Sequence, residues 1–365
     1  MAERTYQQEV KEAAIHRLRA MQKELPPFLD DFFVYCLNIY SPRTPLAYSY
    51  DLKLFFTYLL ENHPAFAEKT MQTIEARDLD QVDAEDIDRF VAWLSLYTRP
   101  DEKNPEKTIT YTNNNNGKLR KLSSVRSLYK YLYKRKKVKA NPAAIADAPK
   151  IHDKPVVRME VNEMCDFLDA VESGTQLTER QQKFHEKTKL RDLAITTLLL
   201  GTGMRVSECV GINIKDLDFE QNAVRVTRKG GDESMIYFSQ EVAQTLQAYL
   251  AERKKRPDDT EPALFLSLQG KRITVRSVQL LVKKYAQASV KLKRITPHKL
   301  RSTFGTNLYQ DTGDIYLVAA SLGHEDVNTT TKHYAAIEEY QKQKAARNVH
   351  LRQQEAEHES TETSI

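Results

Sequence analysis

Glycine accounts for only 11 of the 365 residues, about 3%, against roughly 7% in an average globular chain. A chain so poor in the residue that tight turns need is expected to fold mainly into helix rather than turn-rich β structure. Hydrophobic residues at 41% and charged residues at 29% are the balance of a globular protein and exclude a disordered one. The length suits two domains, each with its own core. No apolar run reaches the roughly 18 residues of a membrane span. The opening segment MAERTYQQEVKEAAIHRLRA is charged and amphipathic, unlike an export signal, so a cytoplasmic location is expected. Cys36, Cys165 and Cys209 are odd in number and widely spaced, which suits reduced thiols rather than a disulfide frame or a zinc site.

Apolar spacing places the helices. Residues 6–24 read as an amphipathic helix that stops before Pro26 and Pro27, and residues 41–62 as a second with Leu52, Phe55, Phe56, Leu59 and Leu60 on its apolar face. A third is expected to start from an Asp83 N-cap, with Ile87, Phe90, Val91 and Leu94 on one side and the sole Trp93 in the same core. Residues 99–117, with two prolines and the run Asn113 to Asn116, read as a solvated loop. A helix follows over about 118–137, then a proline- and alanine-rich linker at 143–157. In the second half, an apolar helix around Leu190 to Leu200 runs into Gly201-Thr-Gly203. A β-hairpin is expected over 222–238, where Val224 and Val226 alternate with polar residues and Gly230-Gly231 supplies the turn. Further helices begin near 240, 274, 297 and 314. The fold class expected is mainly α with a small β-sheet or hairpin.

The net charge of +5 hides a strong asymmetry. Lys118 to Lys139 holds ten Lys/Arg and no Asp/Glu, and Lys271 to Arg301, which includes Lys283 and Lys284, again ten and none. Without these 20, the chain has 35 basic against 50 acidic residues. Two acid-free stretches in different halves point to a polyanion, with nucleic acid favoured over a membrane surface because neither has an interfacial apolar face. On the first, Arg126, Lys130, Lys134 and Lys137 fall at i, i+4, i+8 and i+11. On a continuous helix they form a stripe about 16 Å long that can follow a phosphate backbone but not read sequence.

Four segments carry the chemistry: GTGMRVSE at 201–208, VTRKGGDE at 226–233, HKLRSTF at 298–304 and LGHEDVNTTTKHY at 322–334. Each alone is unspecific. Taken in order they resemble a family of enzymes in which a tyrosine cuts DNA through a covalent intermediate, a phenol near pKa 10 that needs a base and a cationic site to react at neutral pH. On that resemblance Tyr334, which follows His324 in the family's order, is the candidate, with Tyr309, Tyr316 and Tyr340 as rivals. Arg205 and Arg301 offer planar forks for the non-bridging oxygens of a phosphate. His298 and Arg301 are one turn apart on one helix, which Thr296 can cap with Pro297 at its first position.

In this order and spacing the four segments resemble the tyrosine recombinase, or phage integrase, family. The resemblance implies a helical core-binding domain at 1–142, a catalytic domain at 158–345, and a tail at 346–365 whose first part contacts another protomer and whose end is disordered. Together the domains would form a C-shaped clamp on DNA. It further implies that Lys229 protonates the departing 5′ oxygen, His298 serves Tyr334 as base or proton partner, His324 hydrogen-bonds the phosphate and Glu208, three residues after Arg205, is the family's supporting carboxylate. Arg228 is read as a phosphate contact or a solvated cation. No metal or other cofactor is implied. The expected partners are double-stranded DNA with a specific site, three further copies of the chain in a tetramer on two sites, and an accessory protein of unknown kind. The long N-terminal helix, KLRDLAITTLLLGTGMR and TRKGG are closest to the Xer branch in its single-recombinase form, which resolves chromosome dimers. Against that branch, Tyr334 lies ten positions after His324, one more than Xer proteins usually have, and Ser302 replaces a frequent histidine. An integrase of a phage or conjugative element is therefore the alternative. A type IB topoisomerase and a non-enzymatic regulator are weaker readings, the first because it needs no tail for oligomer contacts, the second because it leaves the ordered motifs unexplained.

Overall fold

The computed structural model describes residues 5–101, 104–151, 157–228, 231–253, 261–290 and 293–323. Two compact units divide the chain between Lys154 and Pro155.

The first unit is a helical cluster. Helix α1 (Tyr6–Gln22) is started by a capping box in which Thr5 and Gln8 satisfy each other's main-chain amides. Helices α2 (Leu29–Ile39), α3 (Arg43–Asn62), α4 (Ala84–Trp93) and α5 (Asn115–Lys134) complete it. The expected face of α3 is buried at Leu52, Phe55, Phe56 and Leu59, with Leu60 half-buried, and that of α4 at Ile87, Phe90 and Val91 with Leu94 just beyond its end. Phe32 and Phe33 of α2, a helix the sequence reading passed over, join this core. Asp83 caps α4 as expected, accepting from the Asp86 amide.

Three expectations fail here. The segment read as a loop pairs as antiparallel strands β1 (Leu96–Asp101) and β2 (Asn104–Thr112), from Leu96 opposite Thr112 to a bulge at Pro100/Asp101. Stacked rings of Trp93, Tyr97 and Tyr111 continue from α4 into this ribbon. The asparagine run is not merely solvated: Asn114 caps α5 through the Gly117 amide, Asn113 donates to the Leu94 carbonyl, and Asn115 to that of Lys150.

Helix α5 also ends earlier than its apolar spacing suggests. Lys136 adopts φ 56°, the Lys136 amide donates to Tyr133 O and the Lys137 amide to Leu132 O. These bonds form a left-handed terminating motif that usually recruits glycine. Lys137 therefore lies off the helix. Residues 142–146, mostly within the expected linker, pack against α5, burying Ala143 and Ala146.

The second unit contains α6 (Val161–Ser173), α7 (Glu179–Thr202), the short α8 (Val206–Gly211), α9 (Gln240–Arg253), α10 (Val275–Ser289), α11 (Pro297–Thr312) and α12 (Ile315–Leu322). Its sheet is antiparallel in the order β3 (Leu217–Asp218), β4 (Ala223–Thr227), β5 (Glu233–Tyr237), so the expected hairpin gains one short neighbour. Val224 and Val226 are buried and Arg225 exposed, the alternation the sequence shows. Between α7 and α10, Asp192 of α7 is buried and accepts hydrogen bonds from Arg191, Thr188, Tyr285 and Lys284. His185 is buried in this network with Nδ1 2.9 Å from the Tyr285 hydroxyl. Among the described residues no helix is long and apolar enough to cross a membrane.

Candidate active site

Helix α7 terminates at Gly203, whose φ of 62° favours glycine, and a Cβ there would lie 2.4 Å from Cδ1 of Phe304. This turn has two consequences. It lets α7 pack closely on α11, and it leaves the Gly203 carbonyl 2.7 Å from Nη1 of Arg301. Two residues later Arg205 is the N-cap of α8. Glu208 accepts from the Arg205 amide at 2.7 Å through one carboxylate oxygen and from Arg205 Nη1 at 2.9 Å through the other. One buried carboxylate thus fixes both the backbone and the guanidinium of Arg205, while the arginine side chain stays 36% exposed.

The second focus is the C-terminal end of α12. Helix ends leave carbonyls without partners and carry partial negative charge. Here the Leu322 carbonyl accepts from Arg301 Nη2 at 2.5 Å and from Arg228 Nη1 at 3.1 Å, and the Gly323 carbonyl accepts from Arg205 Nη2 at 3.2 Å. Three guanidiniums from α8, α11 and the end of β4 therefore meet at one helix end. Of the three, Arg205 is paired with a carboxylate, that of Glu208. The positive charge of Arg205 and Arg301 suits a phosphodiester, and Arg301 is only 5% exposed, so its charge acts with little solvent screening.

Arg205, Glu208 and Arg301 are thus brought together. His298 is exposed on the first turn of α11, one turn before the buried Arg301. Thr296 occupies the N-cap and Pro297 the first position, but the Thr296 side chain makes no capping bond, so the expected side-chain cap is absent. Lys229, His324, Tyr334 and the tail at 346–365 lie outside the described residues. Arg228 is the residue that sequence reasoning undervalued: it is anchored to Leu322 rather than simply solvated. Its role has no local signature, since the partner is 94 positions away. Cys209, beside Glu208, is fully enclosed, and burial followed by the Glu208 charge pushes its thiol far above the ordinary range, as fits a core residue.

The basic residues divide. Lys130 and Lys134 are exposed on α5. Arg126 instead donates to the carbonyls of Ala143 and Ala146 at 3.0 and 2.7 Å, and Lys137 pairs with Asp31 at 2.8 Å. The four do not form one stripe. On α10, Lys283 is exposed, whereas Lys284 is partly buried, 3.4 Å from Asp192 and over the Tyr285 ring. Burial pulls the Lys284 ammonium below the ordinary lysine range, with Asp192 opposing.

The model of the phage integrase family matches residues 158–357. The chain is 32% identical over 313 residues to tyrosine recombinase XerC of Caldanaerobacter subterraneus subsp. tengcongensis, covering 84% of this chain and 82% of the relative. It is 31% identical over 356 residues to tyrosine recombinase XerS of Lactococcus lactis subsp. cremoris, covering 91% and 98%. Two solved structures share the fold. One is the XerH site-specific recombinase bound to palindromic difH substrate in a post-cleavage complex, with TM-score 0.61 and 18% identity over 87% of this chain and 83% of that one. The other is a lambda integrase dimer bound to a COC′ core site, with TM-score 0.58 and 14% identity over 83% and 96%. The chain belongs to the phage integrase family. Within it, the chain is a tyrosine recombinase, an enzyme of site-specific recombination related to the Xer group.

Proposed function

We propose that this recombinase cuts and rejoins duplex DNA at one specific site through a covalent 3′-phosphotyrosine on Tyr334, as one of four protomers holding two sites and passing through a Holliday junction. The observation that carries this reading is the meeting of Arg205, Arg301 and Arg228 at the end of α12, one residue ahead of His324 in sequence.

The roles follow from chemistry. Arg205 and Arg301 hold the non-bridging oxygens, whose charge grows as phosphorus becomes five-coordinate. The Tyr334 hydroxyl attacks phosphorus and gives its proton to His298. The bond to O5′ breaks as Lys229 donates a proton to that oxygen, and His324 hydrogen-bonds the phosphate. The P–O bond energy is kept in the phosphotyrosine, so a 5′ hydroxyl from the other duplex reverses the step. Lys130, Lys134 and Lys283 add phosphate contacts away from the cut. The 346–365 segment links each protomer to the next in a cyclic arrangement.

Chromosome dimer resolution is the biological role this reading favours, because similarity to XerS runs through 98% of that protein's length. Trapping covalent adducts on fragmented genomic DNA of the host and sequencing the attached ends tests it. One chromosomal inverted repeat is the expected result. Attachment to the ends of a mobile element instead would assign the protein to integration.

A further inference from the structure

Arg228 joins two parts of the second unit that are far apart in sequence. Its backbone is held in the hairpin, with the Arg228 amide donating to Asp232 O at 2.7 Å and the Gly231 amide donating to Arg228 O at 3.1 Å. Its guanidinium reaches outward, Nη2 to Ser234 Oγ at 3.3 Å and Nη1 to the Leu322 carbonyl at 3.1 Å. That carbonyl is also the acceptor of Arg301. Gly323 completes the seat. Its φ is 62°, and a Cβ on it would fall 1.4 Å from Arg228 Nη1, so the guanidinium lies where any other residue would place its side chain.

We infer that Arg228 is a positioning residue for departure of the leaving group, fastening the end of β4 to the end of α12. It precedes Lys229 directly, and Gly323 precedes His324 directly. Through chain adjacency alone, the contact ties the stretch that carries Lys229 to the helix end contacted by Arg205 and Arg301. The inference rests on the recombinase reading above. In the step concerned, the bond from Tyr334 oxygen to phosphorus forms, the bond from phosphorus to O5′ breaks, and the Lys229 proton passes to O5′. Sulfur in place of O5′ removes the need for that proton, because a thiolate, whose conjugate thiol has a pKa of about 8.5, departs unprotonated far more readily than an alkoxide.

The test measures single-turnover cleavage of ordinary DNA and of DNA with a 5′-bridging sulfur, using the full chain. Arg228→Ala is expected to slow the ordinary substrate at least about 10-fold and the sulfur substrate less than about 3-fold, as for a misplaced general acid. Duplex affinity stays within about 2-fold, because other cations carry the binding. Lys229→Ala shows the same selectivity more strongly. Arg228→Lys recovers only part of the rate, since one ammonium cannot span Ser234 and Leu322 together. Should alanine prevent folding, Arg228→Gln keeps a donor without the charge and is expected to show the same selective loss. Equal slowing on both substrates, or a wild-type rate on ordinary DNA, would overturn the assignment. A wild-type chain that forms no adduct with either substrate would instead overturn the recombinase reading beneath it.

Discussion

Glu208 spends both oxygens on Arg205, one on its amide and one on its guanidinium. A lysine at 205 keeps the charge but cannot reach Glu208, the Gly323 carbonyl and a phosphate oxygen at once. Arg205→Lys is therefore expected to lower the cleavage rate at least about 100-fold, the scale of losing one preorganised oxyanion donor, with duplex affinity almost unchanged. Near-normal cleavage in a single-turnover assay would contradict the clamp. At this scale the sequence was informative about which residues gather, since Arg205, Glu208 and Arg301, taken together from separate segments, meet around the ends of α7 and α12. It was uninformative where a side chain's partner is remote. Arg126 sits at helical spacing from Lys130, yet its guanidinium turns to Ala143 and Ala146. Arg228 reads as one more cation in a hairpin, yet it is bonded to a carbonyl on α12.

Helices with a continuous apolar face, α3 and α4 above all, were legible because burial of that face is what stabilises them. The β1–β2 ribbon was not, although Thr108 to Thr112 alternates. Leu96 is 62% and Tyr111 40% exposed, and among the described residues of the ribbon none is buried, so no one-sided apolar pattern marks it. Pro100 and Pro105 further disguise it as loop. The end of α5 was misplaced because apolar and basic spacing runs on past Lys134, while Lys136 takes a left-handed conformation that its side chain disfavours. Lys136→Gly should relieve that cost and stabilise the free protein by about 0.5–1 kcal/mol net of the glycine entropy, seen as a higher urea midpoint with unchanged slope. An unchanged or lower midpoint would count against the strain. The same geometry revises the binding surface of α5. Neutralising Lys130 and Lys134 together should lower the slope of log affinity against log salt by about 2, one for each phosphate released. Neutralising Arg126 should change that slope much less, because its guanidinium serves two carbonyls of its own unit.

Across the molecule, each unit carries one acid-free basic stretch, 118–139 in the first and 271–301 in the second, so duplex affinity is expected to draw on both. Cutting is expected to depend on the second alone, where the helix-end cluster lies, and on Tyr334, which follows that cluster in sequence. The most direct measurement incubates the full chain and its Tyr334→Phe variant with nicked duplex containing the captured site, in which the nick lets the cut strand diffuse away and traps the intermediate. The wild-type chain should migrate with attached DNA on a denaturing gel, and peptide mass analysis should place the DNA on Tyr334. The variant should bind the duplex equally and give no adduct. An adduct of equal yield from the variant, or attachment at Tyr309, Tyr316 or Tyr340, would contradict the assignment of the nucleophile.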